Sequence, residues 1–142
     1  MKTKADLVEA QFSKFNCAQT VFSLFADDLG IDEKTALKIA SGFGGGMACA
    51  ETCGAVTGAY MVIGMKHGNA TSNPEDKAHT KMQIRKFNTE FKKIHNSLIC
   101  KNLIGFDIST TEGAAAAQEA NVFRTKCPGF IKTACNLLEN EF

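Results

Sequence analysis

Apolar residues along this chain recur every three or four positions, and no convincing run alternates apolar with polar residues. That periodicity is the mark of amphipathic helices, so the chain is expected to fold as an all-α, single-domain bundle spanning 1–142, with about six to seven helices around a central apolar one. Val8, Phe12 and Phe15 make a short first stripe. Asn16 is a good cap for a second helix carrying Ala18, Val21, Phe22, Phe25 and Leu29, stopped at Gly30. Asp32 caps a third, with Ala36, Leu37, Ala40 and Phe43 inward.

The central helix should begin near Cys49 or Glu51 and run to about His67, with Gly68 after its end. Its stretch from Thr52 to Met65 is uncharged, but it falls short of the roughly 20 residues of a membrane span, so a buried helix is expected and no membrane insertion. Asn73-Pro74-Glu75-Asp76 starts a long helix in which Ile84, Phe87, Phe91, Ile94 and Leu98 follow bundle spacing. A brief helix is expected around Ala114 to Ala117, and a last one from Pro128, with Phe130, Ile131, Ala134 and Leu138 inward.

Length and composition narrow the function classes. The 142 residues are 44% hydrophobic and 22% charged, enough for a real core without disulfide staples. A net charge of +1 supplies no global field toward nucleic acid or an anionic membrane. The N-terminal residues lack an apolar signal region, so the chain reads as cytoplasmic. In a reducing compartment, its six cysteines call for a metal, redox or core role.

The cysteines are Cys17, Cys49, Cys53, Cys100, Cys127 and Cys135, and no pair is spaced C-x-x-C. That argues against a zinc ribbon, a thioredoxin-type dithiol and covalent haem attachment. Cys49 and Cys53, four apart, could share a helix face, making Cys49 a fallback ligand or resolving thiol; Cys127 and Cys135 are eight apart on the last helix. Cys17, Cys53 and Cys127 fall near predicted helix N-termini. There the free N–H groups and the macrodipole favour thiolate over thiol and should lower the pKa.

Other candidates carry less. The run Gly42-Phe43-Gly44-Gly45-Gly46 is no phosphate loop: no Gly-Lys-Ser/Thr follows, and Met47 stands where G-x-G-x-x-G needs glycine. It reads as a tight turn bringing backbone close to something. Ala50, Gly54 and Gly58 form a small-residue stripe for close approach by a helix or a compact cofactor. His67 suits a helix C-terminus, and His79 and His95 a polar face. Residues 74–101 hold seven Lys/Arg against three Asp/Glu, a solvated face or a docking patch for an acidic redox partner. Glu51 is expected to cap the central helix, and no general acid/base constellation stands out.

Several separated segments together resemble a known family. They are Asn16-Cys17-Ala18-Gln19; Ser41-Gly42-Phe43-Gly44-Gly45-Gly46-Met47; Glu51-Thr52-Cys53-Gly54-Ala55-Val56-Thr57-Gly58-Ala59; Cys100 with Leu103-Ile104-Gly105-Phe106-Asp107; and Cys127-Pro128. In this order, from about Phe15 to Leu138, the chain resembles the C_GCAxxG_C_C family of small redox-active proteins, marked by four cysteines and a Cys-Gly-Ala-x-x-Gly motif. The resemblance implies a helical protein whose four cysteines, here Cys17, Cys53, Cys100 and Cys127, hold an iron–sulfur cluster; Cys49 and Cys135 fall outside the pattern.

Four thiolates are the usual ligand set of a [2Fe–2S] or [4Fe–4S] cluster and also of a closed zinc site. Their gaps here are 36, 47 and 27 residues, so any site would form only when the whole bundle folds. The leading expectation is an electron carrier or redox sensor, or an oxidoreductase, holding a cluster ([2Fe–2S] is one option) and meeting a redox partner protein, with a homodimer as a further option. A metal-free thiol–disulfide protein is the second reading. A structural or interaction protein with a zinc site or inert thiols is the third.

Overall fold

The computed structural model describes residues 2–142. Among them no strand forms, and the one β-type pairing is an isolated antiparallel bridge between Thr52 and Ile99. The all-α expectation holds. A 3-10 turn at Ala5–Leu7 runs into α1 (Val8–Phe12), followed by α2 (Cys17–Phe25) and α3 (Glu33–Ala40). Asn16 and Gln19 make a reciprocal capping box at the start of α2: Gln19 N–H donates to Asn16 Oδ1 (2.9 Å), and Asn16 N–H donates to Gln19 Oε1 (3.0 Å). α2 ends at Phe25, sooner than its stripe predicts, because the chain turns through Ala26 to Gly30, where φ is +71°. Asp32 caps α3 by accepting from Thr35 N–H, and Ala36 and Ala40 are fully buried there, whereas Leu37 and Phe43 are only half-buried.

α4 (Gly54–His67) is the central helix. It packs against α2, α5 (Pro74–His95) and α9 (Cys127–Glu141), which surround it and bury Gly54 to Ala59, Val62 and Ile63. Among the described residues no helix is long and apolar enough to cross a membrane. α4 starts later than the predicted Cys49 or Glu51. Met47, Ala48 and Ala50 have positive φ, a left-handed conformation that a right-handed helix excludes, and Thr52 is in the bridge. Glu51 does not cap α4 as predicted: Cys53 is the N-cap residue, and the Glu51 carbonyl accepts from Cys100 N–H.

Asn73 caps α5 and Pro74 opens it. Phe87 and Phe91 are buried and stacked, with ring centroids 5.8 Å apart. Past Phe91 the predicted stripe fails: Ile94 is 56% exposed, and Leu98 lies beyond the end of α5, where Asn96 turns the chain at φ +70°. The inward position after Phe91 goes to His95, four residues on, whose ring lies 4.9 Å from Phe91 and 5.0 Å from Phe130. His95 is therefore half-buried and not part of a polar face; its Nε2 meets Thr133 Oγ1 at 2.8 Å.

The C-terminal third holds the short α6 (Cys100–Ile104), ended by Gly105 at φ +82°, then α7 (Thr111–Glu119), α8 (Val122–Thr125) and α9. α7 contains the predicted Ala114 to Ala117 and is longer because Thr110 caps it on Gly113 N–H. α9 begins at Cys127, one residue before the predicted Pro128. Phe25, Ile63, Phe87, Phe91, Ile104, Ile131 and Leu138 are the large fully buried side chains, each worth roughly 1.5–3 kcal/mol of burial.

Candidate functional site

Four cysteines stand at helix starts. Cys17 is the first residue of α2, Cys53 the N-cap of α4, Cys100 the first residue of α6 and Cys127 the first of α9. Local signals in the sequence mark two of these starts, Asn16 before Cys17 and Pro128 after Cys127, whereas α4 and α6 have no side-chain cap, with Cys53 and Ile99 at their cap positions. All four cysteines line one cavity of about 140 Å³, walled by Phe12, Leu103, Ile104, Ile108, Phe123 and Phe130.

Close backbone approaches position them. A Cβ on Gly54 would stand 2.9 Å from Cys17 Cβ, and one on Gly58 would stand 2.9 Å from the Ala18 carbonyl oxygen. The glycines of the small-residue stripe thus serve helix packing, drawing α4 onto α2 and Cys53 towards Cys17. Cys53 N–H donates to the Leu98 carbonyl (2.8 Å) and Cys100 N–H to the Glu51 carbonyl (2.6 Å), a clip that sets Cys53 beside Cys100. The glycine-rich turn supplies another approach: a Cβ on Gly46 (φ +62°) would meet Cys100 Cβ at 3.0 Å, and Gly45 and Gly46 line the cavity. Asn16 ties this turn to α2, donating through Nδ2 to the Ser41 carbonyl at 3.1 Å.

Ionisation follows burial more than helix ends. Cys17, Cys53 and Cys127 are the thiols whose position predicts a lowered pKa, yet burial pushes Cys53 up to about 12, against the opposing pull of the Ala55 and Val56 amides. Cys100 rises to about 11 through burial and the neighbouring Cys127. Cys17 is raised by the neighbouring Cys127 thiol and by its partial burial. Only Cys127 is lowered, by the neighbouring Cys17 thiol. A thiolate in an apolar cavity loses its hydration, and partial charges on amides replace only part of it.

The donor set suits a sulfur-ligated group of several atoms. The cavity has ten times the volume that one water needs, its walls are apolar, and the four thiols surround it from four elements. Among the described residues, no three His, Cys, Asp or Glu side chains converge closely enough to hold a single metal ion.

The remaining candidates stand apart. Cys49 is exposed in the left-handed segment, its thiol donating to the Gly46 carbonyl at 3.2 Å, so its spacing of four from Cys53 gives no shared helix face. Cys135 is fully buried away from the cavity, and burial pushes its thiol up to about 12. His67 ends α4 as predicted, and its ring meets His79 with centroids 6.0 Å apart. Phe12 and Phe123, which close the cavity on one side, read in the sequence only as apolar residues; nothing local marks them.

The profile of the family described as "Putative redox-active protein (C_GCAxxG_C_C)" matches residues 15–141. The chain belongs to this family. The C_GCAxxG_C_C match spans every element from α2 to α9 and includes all four cavity cysteines. No curated protein and no solved structure matches the chain at a significant level.

Proposed function

We propose that this C_GCAxxG_C_C protein is a small redox protein in which Cys17, Cys53, Cys100 and Cys127 hold an iron–sulfur cluster for electron transfer or redox sensing. The carrying observation is that four thiols from four helix starts line a single apolar cavity. A cluster held there would supply one-electron chemistry, with [2Fe–2S] or [4Fe–4S] both served by four cysteines. The chain's own contribution is to gather the ligands by backbone approach at Gly46, Gly54 and Gly58 and to exclude water with Phe12, Phe123 and Phe130. Backbone N–H groups at the helix starts favour the negative charge of the ligated thiolates. A redox partner protein and the cytoplasm complete the reading. Anaerobic purification followed by iron and sulfide analysis tests it: brown protein with cysteine-to-iron charge-transfer absorption is expected, and a colourless, iron-free protein overturns it.

One observation favours a second reading, in which Cys17 and Cys127 interconvert between dithiol and disulfide. Both thiols line the same cavity, and each shifts the other's ionisation, Cys17 upward and Cys127 downward. Alkylation before and after reduction should then differ in mass at these two residues; labelling independent of redox state removes it.

A further inference from the structure

Next to the cysteine cavity lies an open surface groove of about 620 Å³, lined by Glu9, Phe12, Ser13, Phe123, Arg124 and Pro128. Phe12 and Phe123 line both spaces, so their side chains form the partition between them. Both are half-buried, and they ride on the short α1 and α8, of five and four residues. Pro128 in the groove wall directly follows Cys127. The groove's volume falls within the range typical of small-molecule sites.

Its charges select a class of ligand. Glu9 is ion-paired with Lys132. Arg124 is exposed and forms no ion pair among the described residues, which leaves one uncompensated guanidinium on the groove. A planar guanidinium matches a carboxylate with two parallel hydrogen bonds.

We propose that this groove is the binding and entry site for a low-molecular-weight disulfide bearing carboxylates, a small peptide disulfide, held by Arg124 and admitted between Phe12 and Phe123 to Cys127. The assignment rests on the dithiol reading of Cys17 and Cys127. In the first step the Cys127 sulfur bonds to one sulfur of the ligand, the ligand's S–S bond breaks, and the displaced half leaves as a thiol carrying the Cys127 proton. In the second, the Cys17 sulfur bonds to Cys127, the mixed disulfide breaks, and the other half leaves as a thiol with the Cys17 proton. Two electrons pass from the two cysteine thiols to the disulfide, which leaves as two thiols. Because Cys17 lines the same cavity as Cys127, it supplies the resolving thiol.

The test uses full-length, reduced, iron-free protein with two probes: oxidised glutathione, which carries carboxylates, and cystamine, a cationic disulfide. Formation of the Cys17 to Cys127 disulfide is followed by quenched mass mapping, and each rate is divided by that of a free small thiol with the same probe. Oxidised glutathione should be favoured by about fivefold, the preference should vanish in Arg124→Gln, and it should shrink at high salt. Because Arg124 is exposed, this variant retains the fold. Phe123→Ala should raise both normalised rates together. If cystamine reacts as fast as oxidised glutathione while the disulfide still forms, the groove assignment is overturned and the dithiol reading stands. If neither probe links Cys17 to Cys127, the dithiol reading fails and the assignment falls with it.

Discussion

Cys17 and Gly54 leave no room between them: a Cβ on Gly54 would stand 2.9 Å from Cys17 Cβ and 3.0 Å from the Ala18 amide nitrogen. Gly54→Ala should therefore lower stability by about 1–3 kcal/mol through overpacking, although alanine is the better helix former by about 1 kcal/mol. Gly64, in the same helix, has nothing within 4 Å of such a Cβ, and Gly64→Ala should raise stability by about 0.5–1 kcal/mol. Chemical denaturation of both variants checks the opposite signs, and two changes of the same sign contradict the close packing.

Cysteine replacements should separate the site from the core. Serine at Cys17, Cys53, Cys100 or Cys127 should cut bound iron to less than half with helical content retained. Cys135→Ser puts a hydroxyl into a fully buried position and should cost about 1–3 kcal/mol while leaving iron unchanged. Cys49→Ser, on an exposed segment, should alter neither. Iron content and denaturation midpoints report both effects; loss of iron from Cys49→Ser would assign it to the site.

The four cavity thiols should ionise in order. In iron-free, reduced protein Cys127 should react first with iodoacetamide as pH rises, since the neighbouring Cys17 thiol holds its pKa below the usual value of 9.0. Cys53 and Cys100, at about 12 and about 11, stay protonated at pH 8 and should label at least tenfold more slowly. Peptide mapping of time points measures the order, and equal labelling of Cys53 and Cys127 refutes it.

Acid should weaken the fold through His95. Burial lowers its pKa below the ordinary 6.5, so the unfolded chain takes up the proton first. Its contribution is complete above about pH 6.5 and is lost as pH falls through the folded-state value. Urea melts between pH 7.5 and 5 should show a smaller decline for His95→Gln than for the parent protein. Parallel declines in the two proteins would remove His95 as the cause.

The parts legible in the sequence were those with local causes. Asn16, Asp32 and Asn73 accept from amides two or three residues away, so the starts of α2, α3 and α5 follow from short-range chemistry. Apolar spacing likewise places the core side of α9. Cys17, Cys53 and Cys127 stood out because helix starts are local events, and the family motif then joined Cys100 to them. The start of α6 escaped notice because the bridge from Thr52 to Ile99 that sets it spans nearly fifty residues.

What the chain's order of residues determined by itself was a helical bundle and a short list of thiols. Tertiary structure alone decided where each thiol stands. Left-handed backbone at Met47, Ala48 and Ala50, residues with no intrinsic preference for it, removed Cys49 from the face of Cys53. Helix starts argued for lowered pKa values at Cys17, Cys53 and Cys127, but the neighbouring Cys127 raises Cys17, and burial among apolar walls raises Cys53 and Cys100. The reason is one of range: capping acts within a turn of chain, whereas desolvation sums over every element that closes the cavity.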